Sequence, residues 1–306
     1  MEKCPICSDK KIKLKHKIDN FKYYLCVKCK TLILGNNSYS SKKLKMYYKE
    51  DFEYTAAIAN EKRIKKQANK ILKKLKSINP NGKTLLDIGS GFGFFLEEAK
   101  KFKLKTLGIE PSLKLTKLAK NKNLKIVNQT FEEYFSKNPD KKFDYITIIH
   151  VLEHIKDPRK WLKMAFSLLN KNGVIYIETP NLDSHLYRAE KDRYTFLTPP
   201  DHLWIFSSNS LTNLIKNISS LKVIKISTYS YPEHLMGIIK TIFKNKNNYL
   251  KKNINPNNRK SNKNKGKSIT KKIKYVVFDR ILAPLFTPIL NINQYGSILG
   301  LYIKKK

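Results

Sequence analysis

The stretch from Thr84 to Gly93 constrains the fold of this chain more than any other segment. It reads Thr-Leu-Leu-Asp-Ile-Gly-Ser-Gly-Phe-Gly. The apolar run at its start is typical of a strand that is buried on both faces. Three glycines then follow at every second position, and Phe94 to Lys101 has helical spacing. A strand, a glycine turn and a helix in this order predict the first crossover of a doubly wound α/β sheet, which binds ligands beyond its strand ends.

The glycine turn also indicates the kind of ligand. Gly89, Gly91 and Gly93 permit a tight turn and let a ligand approach the main chain. A dinucleotide fingerprint would need a glycine at position 94, where this chain has Phe94. Asp87, two residues before the first glycine, would repel a pyrophosphate but attract a positive charge. The turn therefore favours a cationic ligand.

The pattern Asp-x-Gly-x-Gly-x-Gly resembles the first motif of class I S-adenosylmethionine-dependent methyltransferases. Glu110-Pro111-Ser112, after a predicted strand, matches the second motif of that family. His150 to Pro158 resembles the His-x-Leu-Glu-His…Asp-Pro segment of its small-molecule branch. Thr198 to Ser207 resembles a Pro-Pro-x-His-Leu-x-x-Phe-Ser signature of one part of that branch.

The resemblance implies an α/β, doubly wound, Rossmann-like sheet of seven strands, with the seventh strand antiparallel. It covers Gly82 to Ser230 and the last strand of the chain. The predicted strands are residues 85–88, 105–109, 124–127, 143–150, 173–179, 222–230 and 297–303.

The resemblance also implies a site for S-adenosylmethionine. The implied cofactor-binding residues are Asp87, Gly89, Ser90, Gly91, Gly93, Glu110, Gln129 and His150. Glu110 suits the ribose because its two oxygens match a vicinal diol. For a hydroxyl or amine acceptor, histidine is the natural general base, so His150 and His202 are the catalytic candidates.

The histidines allow other interpretations as well. His150 and His154 are four residues apart, which would put them on one helical face as in a two-histidine metal pattern, but no third carboxylate ligand is obvious nearby. His154 could instead be a core histidine with a main-chain partner. His202 could cap the helix that is predicted to start after Ser207.

The four cysteines form a second motif at the N-terminus. Cys4, Cys7, Cys26 and Cys29 make two Cys-x-x-Cys pairs. Four thiolates at this spacing predict a structural zinc ribbon, with a hairpin that turns at Asp19-Asn20. A closed four-cysteine site has no open position for catalysis, and disulfides are not expected in the cytoplasm.

The net charge is +38, but only six of the 62 basic residues are arginine. Lysine is spread along nearly every segment, and sequence-specific nucleic-acid readout relies on arginine forks. An RNA partner is therefore possible but not favoured over a small-molecule acceptor. The first residues are not a secretory signal, so the cytoplasm is the expected compartment.

Composition and motifs together predict five regions. They are a zinc ribbon (1–40), a helical linker or lid (41–80), a methyltransferase core (81–232), a basic insertion with an amphipathic helix (233–296) and the last core strand (297–306). The basic and apolar stretch at 244–290 could cover the substrate or contact the inner face of an anionic membrane.

Three functions follow as hypotheses. The first is a methyltransferase for a small-molecule, sugar or lipid-linked acceptor, the second an RNA methyltransferase and the third a non-catalytic scaffold. The His-x-Leu-Glu-His segment favours the first over the second. Intact Asp87, glycines and Glu110 argue against the third. The acceptor atom stays open between oxygen, nitrogen and carbon.

Overall fold

A computed structural model of the chain describes residues 2–35, 60–216, 218, 221–241 and 291–305. A seven-stranded mixed sheet lies at its centre, with the strand order β10-β11-β8-β7-β4-β5-β6. These strands are β4 (Thr84–Ile88), β5 (Lys105–Ile109), β6 (Ile126–Val127), β7 (Phe143–Ile149), β8 (Leu169–Pro180), β10 (Leu221–Tyr229) and β11 (Ile298–Lys305).

The pairing confirms the predicted sheet. β4 pairs in parallel with β5 and β7, β5 pairs in parallel with β6, and β7 with β8. β11 is antiparallel to both of its neighbours, β8 and β10. The middle strands are apolar on both faces because helices cover both sides of a doubly wound sheet. The third strand is shorter than predicted, since residues 124 and 125 lie outside β6.

α-Helices surround these strands, and seven of them begin and end within the described residues. They are α1 (Glu61–Ile78), α2 (Phe94–Lys101), α3 (Leu113–Lys120), α4 (Phe131–Lys137), α5 (Pro158–Ser167), α6 (His185–Glu190) and α7 (Ser208–Lys216). The predicted helix across residues 41–77 is confirmed only for the part that falls in α1, because residues 36–59 lie outside the described residues. α1 buries Ala68, Ile71, Leu72 and Leu75 on one face, as its spacing predicts.

A second, four-stranded sheet has the order β1-β2-β3-β9. β1 (Ile12–Ile18) and β2 (Phe21–Cys26) form the predicted antiparallel hairpin, and β3 (Leu32–Leu34) follows. The fourth strand, β9 (Trp204–Ile205), comes from the Pro-Pro-x-His-Leu segment and pairs with β3. The N-terminal region and the segment that follows the central strand β8 therefore share a sheet, which sequence patterns did not predict.

Two predictions fall outside the described residues. The basic and apolar stretch at 244–290 and residues 41–59 of the predicted linker or lid are not described. Among the described helices, none has the length and apolar character needed to cross a membrane.

Candidate active site at the carboxyl edge of the sheet

The glycine turn after β4 leaves room for a ligand at one position. Gly89, Gly91 and Gly93 all have positive φ, between 50° and 77°. A Cβ at Gly89 would lie 2.3 Å from Val151 Cγ2, so only glycine fits this close approach. A Cβ at Gly91 would meet no atom within 4 Å, which shows that this part of the turn faces open space.

Glu110 fastens the turn to the end of β5. One oxygen of its buried carboxylate accepts from Gly91 N at 2.9 Å, and the other accepts from Ser112 N at 2.8 Å. Each oxygen keeps a further lone pair with which it can accept a ligand hydroxyl. Burial raises the pKa of Glu110 above its ordinary value, although both N–H donors oppose that shift. The hydroxyl of Ser90, next in the turn, is buried without a hydrogen-bond partner.

Asp87 lies in β4 between Gly108 of β5 and Thr147 of β7. Its buried carboxylate accepts from the Thr147 hydroxyl at 2.6 Å. Burial and the negative charge of Glu110 raise the pKa of Asp87 to about 7, and the Thr147 hydrogen bond opposes them. A buried acid without a cation is costly, so this site suits a positively charged ligand.

The turn, Glu110 and Asp87 together fit S-adenosylmethionine. The open space at Gly91 would let the cofactor approach the main chain. The carboxylate oxygens of Glu110 could accept from its ribose hydroxyls, and the buried acid Asp87 would balance its positive charge. Gln129 is half-buried after β6. Its neighbour Asn128 donates to the carbonyl oxygens of Glu110 and Pro111 at 3.0 and 2.9 Å, a structural contact that no motif indicated.

His150 follows β7 directly and has a φ of 52°. Its side chain is 37% exposed and lies between two buried carboxylates. Nδ1 donates to Glu153 Oε1 at 3.2 Å, and Nε2 lies 3.5 Å from Glu178 Oε1. Burial by itself would lower the pKa of His150, but Glu153 and then Glu178 outweigh it and raise the pKa.

The shared helical face predicted for His150 and His154 is wrong. His150 has left-handed backbone, and only Leu152–His154 forms a short 3-10 turn. His154 Nδ1 lies 3.0 Å from both the carbonyl oxygen and Oδ1 of Asp201. The predicted main-chain partner of His154 is therefore present, together with a carboxylate. Burial would lower the pKa of His154, but Asp201 and Glu153 raise it to about 9.

His202 does not cap the helix that follows it. Ser207 has that role, because its hydroxyl accepts from Ser210 N at 3.0 Å at the start of α7. His202 Nδ1 instead donates to the Phe196 carbonyl at 2.8 Å, and its ring centroid lies 4.9 Å from that of His154. The side chain is 12% exposed, and burial lowers its pKa. His202 thus joins the same edge of the sheet as His150.

Glu178 was not predicted, although it lies near the end of β8. Its carboxylate is buried and accepts from the hydroxyls of Tyr176 at 2.5 Å and Tyr229 at 2.7 Å. Burial raises its pKa, while His150 lowers it. The strand-end rule that selected Glu110 would also have selected Glu178, but no motif drew attention to it.

The four cysteines converge at the base of the N-terminal sheet. Their sulfur atoms all lie within 4.8 Å of one another, with Cys4 and Cys29 3.6 Å apart and Cys7 and Cys26 3.5 Å apart. All four are free thiols. Tetrahedral zinc with Zn–S bonds of about 2.3 Å needs sulfur atoms roughly 3.8 Å apart. The cluster fits a zinc ion.

The chain is similar in sequence to known methyltransferases. A family model described as a methyltransferase domain matches residues 59–218. A ubiquinone biosynthesis O-methyltransferase of Coxiella burnetii (strain Dugway 5J108-111) is 30% identical over 125 residues, covering 39% of this chain and 53% of that protein. An uncharacterized protein of Methanocaldococcus jannaschii is 30% identical over 147 residues, covering 47% of this chain and 67% of that protein.

Solved structures share the fold. A SAM-dependent methyltransferase from Archaeoglobus fulgidus gives a TM-score of 0.53 at 20% identity, over 83% of this chain and 100% of its own. The plantazolicin methyltransferase BpumL in complex with SAH gives a TM-score of 0.51 at 16% identity, over 87% of this chain and 97% of its own. This chain spans about half the length of the ubiquinone biosynthesis relatives that it matches.

Proposed function

This chain belongs to the methyltransferase-domain family. From that premise we propose that it is a class I S-adenosylmethionine-dependent methyltransferase that transfers a methyl group to an oxygen of a small-molecule acceptor. The acceptor class includes sugar and lipid-linked molecules. The observation that carries the proposal is the position of His150, between two buried carboxylates at the end of the strand next to Asp87. The named activity of the Coxiella relative supports oxygen as the acceptor atom.

In this proposal the turn and its neighbours hold the cofactor. Glu110 accepts from the ribose hydroxyls, Gly91 lets the cofactor approach the main chain, and Asp87 balances its positive charge. Gly89, Gly93, Ser90, Gln129 and His150 complete the proposed cofactor contacts. Bound S-adenosylmethionine would supply an electrophilic methyl group, because its positively charged sulfur leaves as a neutral thioether.

His150 is the proposed general base. It takes the proton from the acceptor hydroxyl, and Glu153 and Glu178 stabilise the imidazolium that forms. The side chain of His150 is about three times as exposed as that of His202, so an acceptor reaches it more easily. His202 is the second candidate, at the acceptor wall. Alignment of the acceptor with the methyl group supplies much of the rate, as a proximity effect.

The proposal includes a structural zinc ion held by Cys4, Cys7, Cys26 and Cys29. It also keeps the division into a ribbon (1–40), linker or lid (41–80), core (81–232), insertion (233–296) and last strand (297–306). The insertion at 244–290 is proposed as a cover over the acceptor or as a membrane-contacting segment.

The test uses the full chain with methyl-labelled S-adenosylmethionine and a fractionated cell extract. We expect label in a small-molecule or lipid fraction. His150→Gln should lower kcat by roughly 100-fold or more, as expected for a lost general base, with cofactor affinity reduced far less. His185→Gln, which alters a histidine packed on Tyr295, is the matched control. Label that enters purified ribosomal or transfer RNA stoichiometrically, in wild type and His150→Gln alike, would overturn the proposal.

A further inference from the structure

We propose that Glu153, His154 and His202 bind a divalent first-row metal ion at the acceptor side of the sheet, separate from the cysteine cluster. Each of the three residues offers one ligand atom, and these atoms lie within 4.8 Å of one another. Two imidazoles and one carboxylate are a donor set that suits zinc, iron, manganese or cobalt. The metal pattern considered from the sequence paired His154 with His150 and lacked a carboxylate ligand. The structure instead groups His154 with the Glu153 carboxylate and with His202.

The three ligands are held in place before any ion binds. Glu153 and His154 lie in the 3-10 turn after β7, and His202 precedes β9. Leu203 N donates to the carbonyl oxygen of Glu153 at 2.8 Å, and Trp204 Nε1 donates to the carbonyl oxygen of Ile155 at 2.7 Å. These bonds fix the two segments against each other, so binding requires little reorganisation.

One carboxylate oxygen of Glu153 is unsatisfied. Glu153 is completely buried. Its Oε1 is bonded to His150, but Oε2 is buried without a hydrogen-bond partner. A buried carboxylate oxygen without a partner is costly, because its desolvation is not compensated. A metal ion bound to Oε2 would remove that cost.

The two imidazoles are oriented as they are in metal sites. Nδ1 of His154 contacts the Asp201 carboxylate at 3.0 Å, and Nδ1 of His202 donates to the Phe196 carbonyl at 2.8 Å. Histidines that ligate metals nearly always donate their other ring N–H to a carboxylate or a main-chain carbonyl, which fixes the ring and its tautomer. Both histidines show this pattern.

A hydrogen-bond network without metal is the competing interpretation. It accounts for the His150–Glu153 and His154–Asp201 contacts. It does not account for Glu153 Oε2 or for the approach of the His202 ring to that of His154. A metal ion explains all four observations together.

The site stands on this geometry alone, whereas its role rests on the proposed function. With three protein ligands, an ion of this kind keeps open positions. An acceptor oxygen bound there would be polarised and oriented next to His150, which makes its proton easier to remove. The acceptor class is therefore one with a hydroxyl that can bind a metal, such as a phenol or a vicinal diol.

The test is metal stoichiometry on the full chain, prepared reduced, equilibrated with Zn²⁺ and freed of excess. We expect two zinc ions per wild-type chain. Each of the variants Cys26→Ser, Glu153→Gln and His202→Gln should keep one. Glu178→Gln, a buried carboxylate at the same edge outside the ligand set, is the matched control and should keep two. Asp201→Asn should weaken the second site by roughly 10–100-fold, as expected for a lost outer contact.

Cobalt substitution distinguishes the two sites without any activity measurement. The cysteine cluster should give intense sulfur-to-cobalt charge-transfer bands, and the second site only weak d–d bands that disappear in Glu153→Gln and His202→Gln. Circular dichroism verifies that each variant is folded. If either Glu153→Gln or His202→Gln does not fold, the other still tests the second site. One zinc per chain that is lost only in Cys26→Ser, or two that persist in both variants, would overturn the inference. If the chain binds two zinc ions but transfers no methyl group, the proposed function is wrong and the inferred metal site still stands.

Discussion

At the residue scale, Asp87 shows a conflict between stability and ligand binding. Its carboxylate is buried beside Glu110, and its pKa is raised from 3.8 to about 7. The folded protein therefore keeps a proton between about pH 4 and 7 that the unfolded chain has already released. Stability falls as the pH rises through this window, and the full cost is present above pH 7. The residue destabilises the ligand-free fold at neutral pH.

We expect Asp87→Asn to stabilise the ligand-free protein at pH 8 by roughly 2–4 kcal/mol. Asparagine keeps an oxygen that accepts from Thr147 but does not ionise. The gain should shrink at pH 5.5, because wild-type Asp87 is then mostly protonated. Denaturant unfolding at the two pH values measures it, and calorimetry should show weaker S-adenosylmethionine binding. A gain of equal size at both pH values would contradict the assigned ionisation.

The residues that motifs indicated and those that they missed differ in one respect. Asp87 lies within its strand and Glu110 directly follows its own strand. Both belong to recognisable patterns, so their positions were predictable. Glu178 belongs to no pattern, and its partners Tyr176 and Tyr229 lie on β8 and β10. Tyr229 is 51 residues away from Glu178 along the chain, so only the packed sheet reveals that contact.

At the element scale, strand β9 links the cysteine ribbon to the acceptor wall. It pairs with β3, and Thr31 Oγ1 donates to the Ile205 carbonyl at 3.2 Å. The Tyr23 hydroxyl donates to the carbonyl oxygen of His202 at 2.7 Å. The Ser207 hydroxyl donates to the carbonyl oxygen of Cys29. These bonds make the position of His202 depend on the ribbon.

We therefore expect Cys26→Ser to loosen the segment around β9. Hydrogen exchange should accelerate at least 10-fold over residues 196–207, because the ribbon would no longer hold β3 against β9. Exchange over 84–120, which carries the cofactor turn, should stay unchanged and serves as the internal control. Equal acceleration in both regions would mean general unfolding, and no acceleration at 196–207 would disprove the coupling.

At the scale of the whole molecule, ribbon and sheet share one core. A single buried cluster includes Cys4, Ile6 and Leu32 of the ribbon together with Leu86 and Ile148 of the central sheet. Hydrophobic burial of this kind is shared between the two regions, so neither can separate without exposing apolar surface. The described parts of the molecule are therefore expected to unfold as one unit.

The corresponding measurement follows zinc release with a chromophoric chelator during heating and compares it with loss of circular dichroism. Both should occur at the same midpoint. S-adenosylhomocysteine at about 100 times its Kd should add about 2.7 kcal/mol and shift both midpoints together. Zinc release at a lower temperature that is insensitive to S-adenosylhomocysteine would show that the two regions are independent.

Features that depend on neighbours along the chain could be predicted from the sequence. These are the strand, turn and helix around Asp87, the order of strands and helices, the hairpin and the cysteine spacing. Each reflects hydrophobic periodicity, glycine stereochemistry or ligand spacing, which act over a few residues. The antiparallel last strand was predictable from the family resemblance.

The contacts between residues that are distant along the chain could be found only from the packing of the fold. It brought His202 to Glu153 and His154, Glu178 to His150, and β9 to the ribbon. These contacts depend on how several elements pack over a shared core, and burial then decides which charges they carry. Local spacing does not encode such a contact, because the residues that meet lie on distant segments. Those segments become neighbours only when the whole fold has packed.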